Sequence, residues 1–139
     1  MTRKGPSRPV EQPPYGSRRL DVARAFLKAA RDEATLADET AIGNPIVSQV
    51  VNAAIAYADA ITAARAGRVN QQDHTGIHKI LRDALGERLP EAQARRLRRM
   101  LDEKDAAQYG ARLLRKADAL RLLDELEAFA NWAEAELTR

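Results

Sequence analysis

The chain contains no cysteine, so it offers neither a disulfide framework nor a thiolate zinc site, and thiols say nothing about its redox compartment. Aromatic residues are only 4% of its 139 residues and do not interleave with the basic ones. That leaves base-stacking recognition of single strands without its platforms. No apolar core follows the charges at the N-terminus and no stretch approaches a membrane span, so secretion and bilayer insertion are unsupported and a cytoplasmic location is expected. No period-2 alternation appears, no internal repeat, and no a/d heptad sustained enough for a coiled coil. Histidine occurs twice, as His74 and His78.

What is present is a 45% hydrophobic chain of single-domain length, enough to build one continuous core. The net charge of +3 is unevenly distributed. Residues 1–19 hold Arg3, Lys4, Arg8, Arg18 and Arg19 against Glu11, and the other 120 residues carry 18 basic and 19 acidic groups. The body is therefore close to neutral. Residues 1–16, with Pro6, Pro9, Pro13, Pro14, Gly5 and Gly16, suit an extended basic arm that is mobile unless a partner holds it.

The rest, residues 17–139, reads as an all-α domain. Leu20, Ala23, Phe26, Leu27, Ala30 and Ala34 mark one helix from Ser17, its expected cap, to about Asp38. Asn44-Pro45 supplies an N-cap and a first-turn proline for a second, running to about Ala66 with a wide apolar stripe, and Gly67 ends it. This should be the most buried helix. Asp73 caps a short third helix with Ile77, Ile80, Leu81 and Leu85 inward, closed by Gly86. Pro90 opens a fourth, with Ala94, Leu97 and Leu101 on one side, Arg95, Arg98 and Arg99 on the other, Arg96 at the flank and Met100 opposite it. Gly110 interrupts the pattern, and a fifth helix spans about Leu114 to Leu137. The expected architecture is an up-and-down bundle of four to five helices.

Chemistry is sparse. His74 and His78 stand four apart, the spacing of a helical metal pair. Zinc peptidases place a glutamate base where Thr75 stands, and no third ligand is identifiable, so no metal or cofactor is expected. Arg68 and His74 fit the loose pattern R-x(4–6)-H of metal-independent RNases, in which arginine holds the phosphate and histidine moves a proton. They span a glycine-bounded loop, which gives them no fixed geometry. Arg95, Arg96, Arg98 and Arg99 could grip phosphates, but Glu91, Asp102 and Glu103 stand one turn away, and pairing would neutralise the face. Trp132 and Phe129 read as core or dimer-seam residues.

The order of these elements over residues 20–137 resembles the HEPN (higher eukaryotes and prokaryotes nucleotide-binding) domains. The likeness rests on the Ala-rich stretch Val50 to Ala64, on Asp73-His74-Thr75-Gly76, and on Leu101-Asp102-Glu103-Lys104-Asp105-Ala106-Ala107-Gln108-Tyr109-Gly110, which is similar to the family's L-x-x-x-R-N-x-A-D-Y segment. It implies a four- or five-helix bundle, a homodimer, and a place among toxin–antitoxin pairs with small nucleotidyltransferases, RNA-cleaving defence proteins or non-catalytic binding members. RNase members carry R-N-x-x-x-H where this chain has Lys104, Asp105 and Tyr109. Lysine lacks the planar fork for phosphate, and tyrosine, with a pKa near ~10, is a poor proton carrier at neutral pH. Gln108 also replaces the family's aspartate, and the Pro-rich leader has no counterpart. The resemblance thus implies a non-nucleolytic module that binds a nucleotide, RNA or a protein; Lys104, Asp105 and Tyr109 of the matched segment, together with His74 and His78 of the histidine pair and Arg95 and Arg99 of the arginine face, are the candidate ligand contacts. Two alternatives stand beside it: an RNase toxin using Arg68 and His74, and an assembly protein whose arm docks on a neighbour.

Overall fold

A helix that is apolar around most of its circumference must be largely surrounded, and this requirement organises the bundle. The computed structural model describes residues 5–110 and 112–139. Its axis is α2 (Asn44–Ala66), in which Ile46, Val47, Val50, Val51, Tyr57 and Ile61 are buried together with Ala53, Ala54, Ala56, Ala58, Ala60 and Ala63. The alanines let neighbouring backbones approach closely. Around α2 stand α1 (Pro14–Leu36), α3 (Ile77–Leu85), α4 (Glu91–Asp102), α5 (Lys104–Tyr109) and α6 (Lys116–Leu137). By length and composition α2 could cross a membrane, contrary to the expectation that no stretch approaches a span, but 72% of its apolar window is buried against the other helices.

Polar pairs fix the helix directions. Arg24 and Arg31 of α1, seven residues apart, donate bidentately to Glu134 and Glu127 of α6, seven apart in the opposite sense, at 2.6–2.8 Å. These helices therefore run antiparallel. At one end of the molecule Asn44 of α2 meets Leu114, and at the other Arg65 of α2 meets Glu136, so α2 and α6 run the same way. Arg88, just before α4, also reaches Glu136, while Ala106, just after it, lies at Asn44; α4 runs back. The architecture is an all-α up-and-down bundle of four long elements, with α3 and α5 as short inserts.

The departures have local causes. Glu103 forms a turn that separates α5 from α4, adding a sixth helix where five were expected. Residues 7–9 are not a free arm: β1 (Ser7–Pro9) pairs antiparallel with β2 (Arg68–Asn70), a two-stranded ladder too short for any alternation to register. Helix α1 starts at Pro14 rather than Ser17, because prolines at the first helical positions need no amide partner. Gly67 closes α2 as expected, at φ 66°.

Asn44 does not cap α2 with its side chain. Its buried amide instead donates to Ala106 O and Arg112 O, both at 3.0 Å, and accepts from Leu114 N at 2.8 Å. Beside it, Gly43 N donates to Leu114 O at 2.6 Å, and a Cβ on Gly43 would stand 2.6 Å from Arg115 O. The start of α2 thus fastens the connection into α6, which begins at Lys116 rather than Leu114. Asn44→Ala would leave buried backbone groups of that connection unpaired. The expected loss is about 2–3 kcal/mol of unfolding free energy, read from urea denaturation; a loss under about 0.5 kcal/mol would show that the amide is dispensable.

Candidate functional site

The loop after α2 carries the histidines, and its own hydrogen bonds decide where they face. Asn70 Nδ2 donates to Gln72 O and Asp73 O at 2.9 and 3.2 Å, and Asp73 accepts from Thr75 N at 3.3 Å, capping a 3₁₀ turn over His74–Gly76. Asp73 therefore caps this turn, and α3 follows it. His74 sits in the turn and His78 in α3, so they do not share one α-helical turn as a metal pair would. His74 Nδ1 lies 2.8 Å from Asp73 Oδ1, and His78 Nδ1 bonds Thr75 O at 2.9 Å. Among the described residues no group of three or more acidic or histidine side chains is placed to hold a metal ion.

Arg68 points at the N-terminal segment. Its Nε donates to Ser7 Oγ at 2.8 Å and its other guanidinium nitrogen to Ser7 O at 2.9 Å. Gln71 adds bonds from its backbone to Pro6 O and from its side chain to Gly5 O and Ser7 O, so the segment is strapped to the loop mainly by polar contacts. Arg68 and His74 are thus turned to separate partners, and no hydrogen bond joins them to each other.

The Lys104–Tyr109 segment is tied into the bundle. Lys104 Nζ donates to Gln108 Oε1 at 2.9 Å, and Gln108 Nε2 donates to Asn52 Oδ1 of α2 at 3.0 Å. Gln108, where the resembling family has aspartate, is the middle link of this chain. Lys104 also lies over the Tyr109 ring, 5.2 Å from its centre, while Tyr109 is 73% exposed and Asp105 faces solvent. The lysine is an anchor here, with its charge held against neutral groups.

On α4 the neutralisation expected from Glu91, Asp102 and Glu103 comes from elsewhere. Arg96 and Arg99 both pair with Glu125 of α6, at 3.3 and 2.9 Å. Glu91 pairs with Arg82 and Glu103 with Arg112, at 3.0 and 2.7 Å. Helix α4 leans its arginine flank on α6, so interhelical carboxylates outcompete those one turn away. Arg95 and Arg98 have no ion-pair partner among the described residues and border a shallow hollow with Arg99 and Asp102. Phe129 is fully buried in the core, and the partly buried Trp132 packs against it, tilted, with ring centres 5.5 Å apart.

Three polar features escaped sequence reasoning. Glu136, 2% exposed, is gripped by Arg65, Arg88 and Arg139. Its position among the inward residues Phe129, Ala130 and Ala133 of α6 was the only signal. Tyr57 of α2 donates to Glu134 at 3.3 Å, and burial pushes its hydroxyl up to about 12, while the Arg24 guanidinium holds the Glu134 carboxyl below the usual range. Asp59 of α2 faces Arg19 of α1 at 3.1 Å, yet burial raises its carboxyl to about 6. None of these groups lines a cavity with the histidines, and all act between helices.

Large apolar side chains reach solvent mainly at the opposite end from Glu136. Ile42, Leu113 and Leu120 line a groove of about 400 Å³ between the α1–α2 connection and the start of α6. The chain matches no protein-family model, and no curated protein matches it.

The Asp59 pair makes a pH-dependent prediction. Its folded carboxyl titrates near 6 and the ordinary value is 3.8, so between these the native state keeps a proton that the unfolded state has released. This contribution to stability is present at low pH and lost as pH rises through about 6. Asp59→Asn removes the loss. The melting temperature of the variant relative to wild type should climb from about pH 4 to about pH 7; a flat difference would mean that Asp59 keeps an ordinary affinity for protons.

Proposed function

We propose that this chain is a non-nucleolytic, HEPN-like binding module whose partner is another protein, in a toxin–antitoxin or defence setting of the kind its sequence likeness implies. The observation that carries this reading is the dispersal of the groups needed to cleave RNA. Among the described residues Arg68 is held by Ser7, His74 by Asp73 and Lys104 by Gln108, so the cations and the proton carrier of the cleavage patterns are each engaged with a separate partner. A protein partner is favoured over RNA because most of the basic groups are already neutralised: Arg19, Arg24, Arg31, Arg96, Arg99 and Arg112 each face a carboxylate. Exposed apolar side chains suit a protein surface better than a phosphate backbone. A nucleotidyltransferase-type antitoxin is the partner class the likeness suggests.

A second reading has its own support. Arg95 and Arg98 stand unneutralised on the outer face of α4 and could take phosphates of RNA or a nucleotide. Salt-dependent RNA binding that Arg95→Glu with Arg98→Glu abolishes would install that reading in place of a protein partner.

Incubating the purified chain with tRNA and total RNA in EDTA tests the main proposal. The RNA should stay intact, and His74→Ala should change nothing. Cleavage that disappears in His74→Ala would overturn the non-nucleolytic reading in favour of an RNase toxin.

A further inference from the structure

The buried carboxylate at the end of α6 gathers more positive charge than it neutralises. Glu136 is met by three guanidinium groups from three separate places: Arg65 in the last turn of α2, Arg88 in the connection from α3 to α4, and Arg139 just past the end of α6. Arg65 Nε lies 3.2 Å from Glu136 Oε1, and another nitrogen of the same fork donates to the backbone carbonyl of Glu136, so Arg65 is mostly buried and belongs to the frame. Arg88 reaches the same Oε1, and Arg139 stands 3.6 Å from Oε2. None of the three faces a second carboxylate among the described residues. Three cations against one anion leave two positive charges in surplus.

Holding the helices together does not require that surplus. Arg65 alone pairs with the Glu136 side chain and caps its carbonyl, whereas further guanidinium groups brought against the first add mutual repulsion and lose side-chain freedom. The backbone nevertheless presents Arg88 there. Arg88 closes a 3₁₀ turn that opens at Gly86, whose φ of 59° and ψ of −128° favour glycine, and buried Leu89 anchors the turn on its far side. The side chains of Arg88 and Arg139 are 46% and 64% exposed. Arg88 uses one nitrogen on Glu136 and Arg139 stands beyond hydrogen-bond range of it, so the other donors of both forks have no partner among the described residues. Glu87, the neighbouring carboxylate in the turn, is exposed and pairs with none of the three.

The surplus and the donors define the ligand. Guanidinium forks suit oxyanions, which accept two parallel N–H bonds from one arginine. A phosphate group with one ester link or none carries about two negative charges near neutral pH, equal to the surplus. A phosphodiester carries one charge per phosphate and would leave half of it unmet, and nucleic acid is tracked by a row of cations rather than by one point. Because Glu136 already fixes where the two forks stand, little ordering entropy opposes capture of the anion.

We infer that Arg88 and Arg139, positioned by Glu136 and backed by Arg65, form a binding site for a dianionic phosphate group, either the free ion or the terminal phosphate of a small molecule. The site uses none of Arg68, His74 and Lys104, so it stands or falls independently of the non-nucleolytic reading. The test titrates the full chain with sodium phosphate, and with sodium chloride at equal ionic strength, following thermal melting and the phosphorus NMR line width. Phosphate should raise the melting temperature and broaden its own line, beyond any effect of chloride. Phenyl phosphate binding as well as the free ion assigns the site to a terminal phosphate, and binding of the free ion alone assigns it to that ion. Dimethyl phosphate, a monoanionic diester, should bind at least tenfold more weakly than free phosphate, and equal binding would refute the match to a dianion. Arg88→Gln and Arg139→Gln should each weaken phosphate binding at least tenfold, with Arg88→Lys, which keeps the charge without the fork, between Arg88→Gln and wild type. Arg95→Gln with Arg98→Gln should leave it unchanged. Circular dichroism shows whether each variant is folded, which the exposure of Arg88 and Arg139 favours. No effect of phosphate beyond that of chloride, an effect that survives Arg88→Gln, or one removed by Arg95→Gln with Arg98→Gln would overturn the inference, whatever the RNA assay reads.

Discussion

The burial of α2 around most of its circumference is the constraint from which the rest of the structure follows. A helix that buries Ile46, Val50, Val51 and Ile61 among alanines keeps only the half-buried strip of Ser48, Asn52 and Asp59 for polar partners, and its other faces are ones that water tolerates poorly. It needs company on most sides. The alanines at 53, 54, 56, 58, 60 and 63 remove side-chain bulk, so the surrounding helices pack close to its backbone, and each surrounding helix can be amphipathic while α2 is not. The 23-residue length of α2 then sets the height of the bundle.

Close packing by small residues is permissive about register, since alanines offer few features to interlock. Polar groups supply the missing specificity. The matched pairs Arg24–Glu134 and Arg31–Glu127 hold α1 against α6 at one vertical offset, and a slip of one turn would break both. Surface pairs of this kind add little stability individually, and their role here is positional. Asn44 at one end and Glu136 at the other do the same with buried groups, where a mismatch leaves unpaired polar atoms and is therefore strongly disfavoured.

The same economy explains why the segments most suggestive of chemistry are mainly occupied by structure. The loop from Arg68 to His78 orders itself through Asn70 and Asp73 and receives the N-terminal strand, which takes up Arg68. The Lys104–Tyr109 helix reaches α2 through Gln108 and Asn52. The apolar end around Leu113 is directed at solvent, as are Arg95 and Arg98 of α4, which have no ion-pair partner among the described residues.

Apolar periodicity was enough to read α1, α2, α4 and α6, because a 3.6-residue repeat of leucine, valine and alanine records which face is buried whatever covers it. Gly67 and Gly86 were legible as helix ends for an equally local reason, the left-handed or otherwise unusual backbone that glycine alone adopts freely. The partners of polar side chains were not legible. Asn44 looks like a helix cap in sequence and becomes a clamp because Ala106, Arg112 and Leu114 arrive beside it from far along the chain. Glu125 neutralises Arg96 and Arg99 in place of the nearer Glu91 and Asp102 because α6 lies against α4. The residues alone determined an all-α bundle around one apolar helix, since burial periodicity is a property of short segments. Only the tertiary structure decided that Arg68 serves the N-terminal strand and that Leu113 stands exposed on the wall of a groove, since those outcomes depend on contacts across long sequence separations.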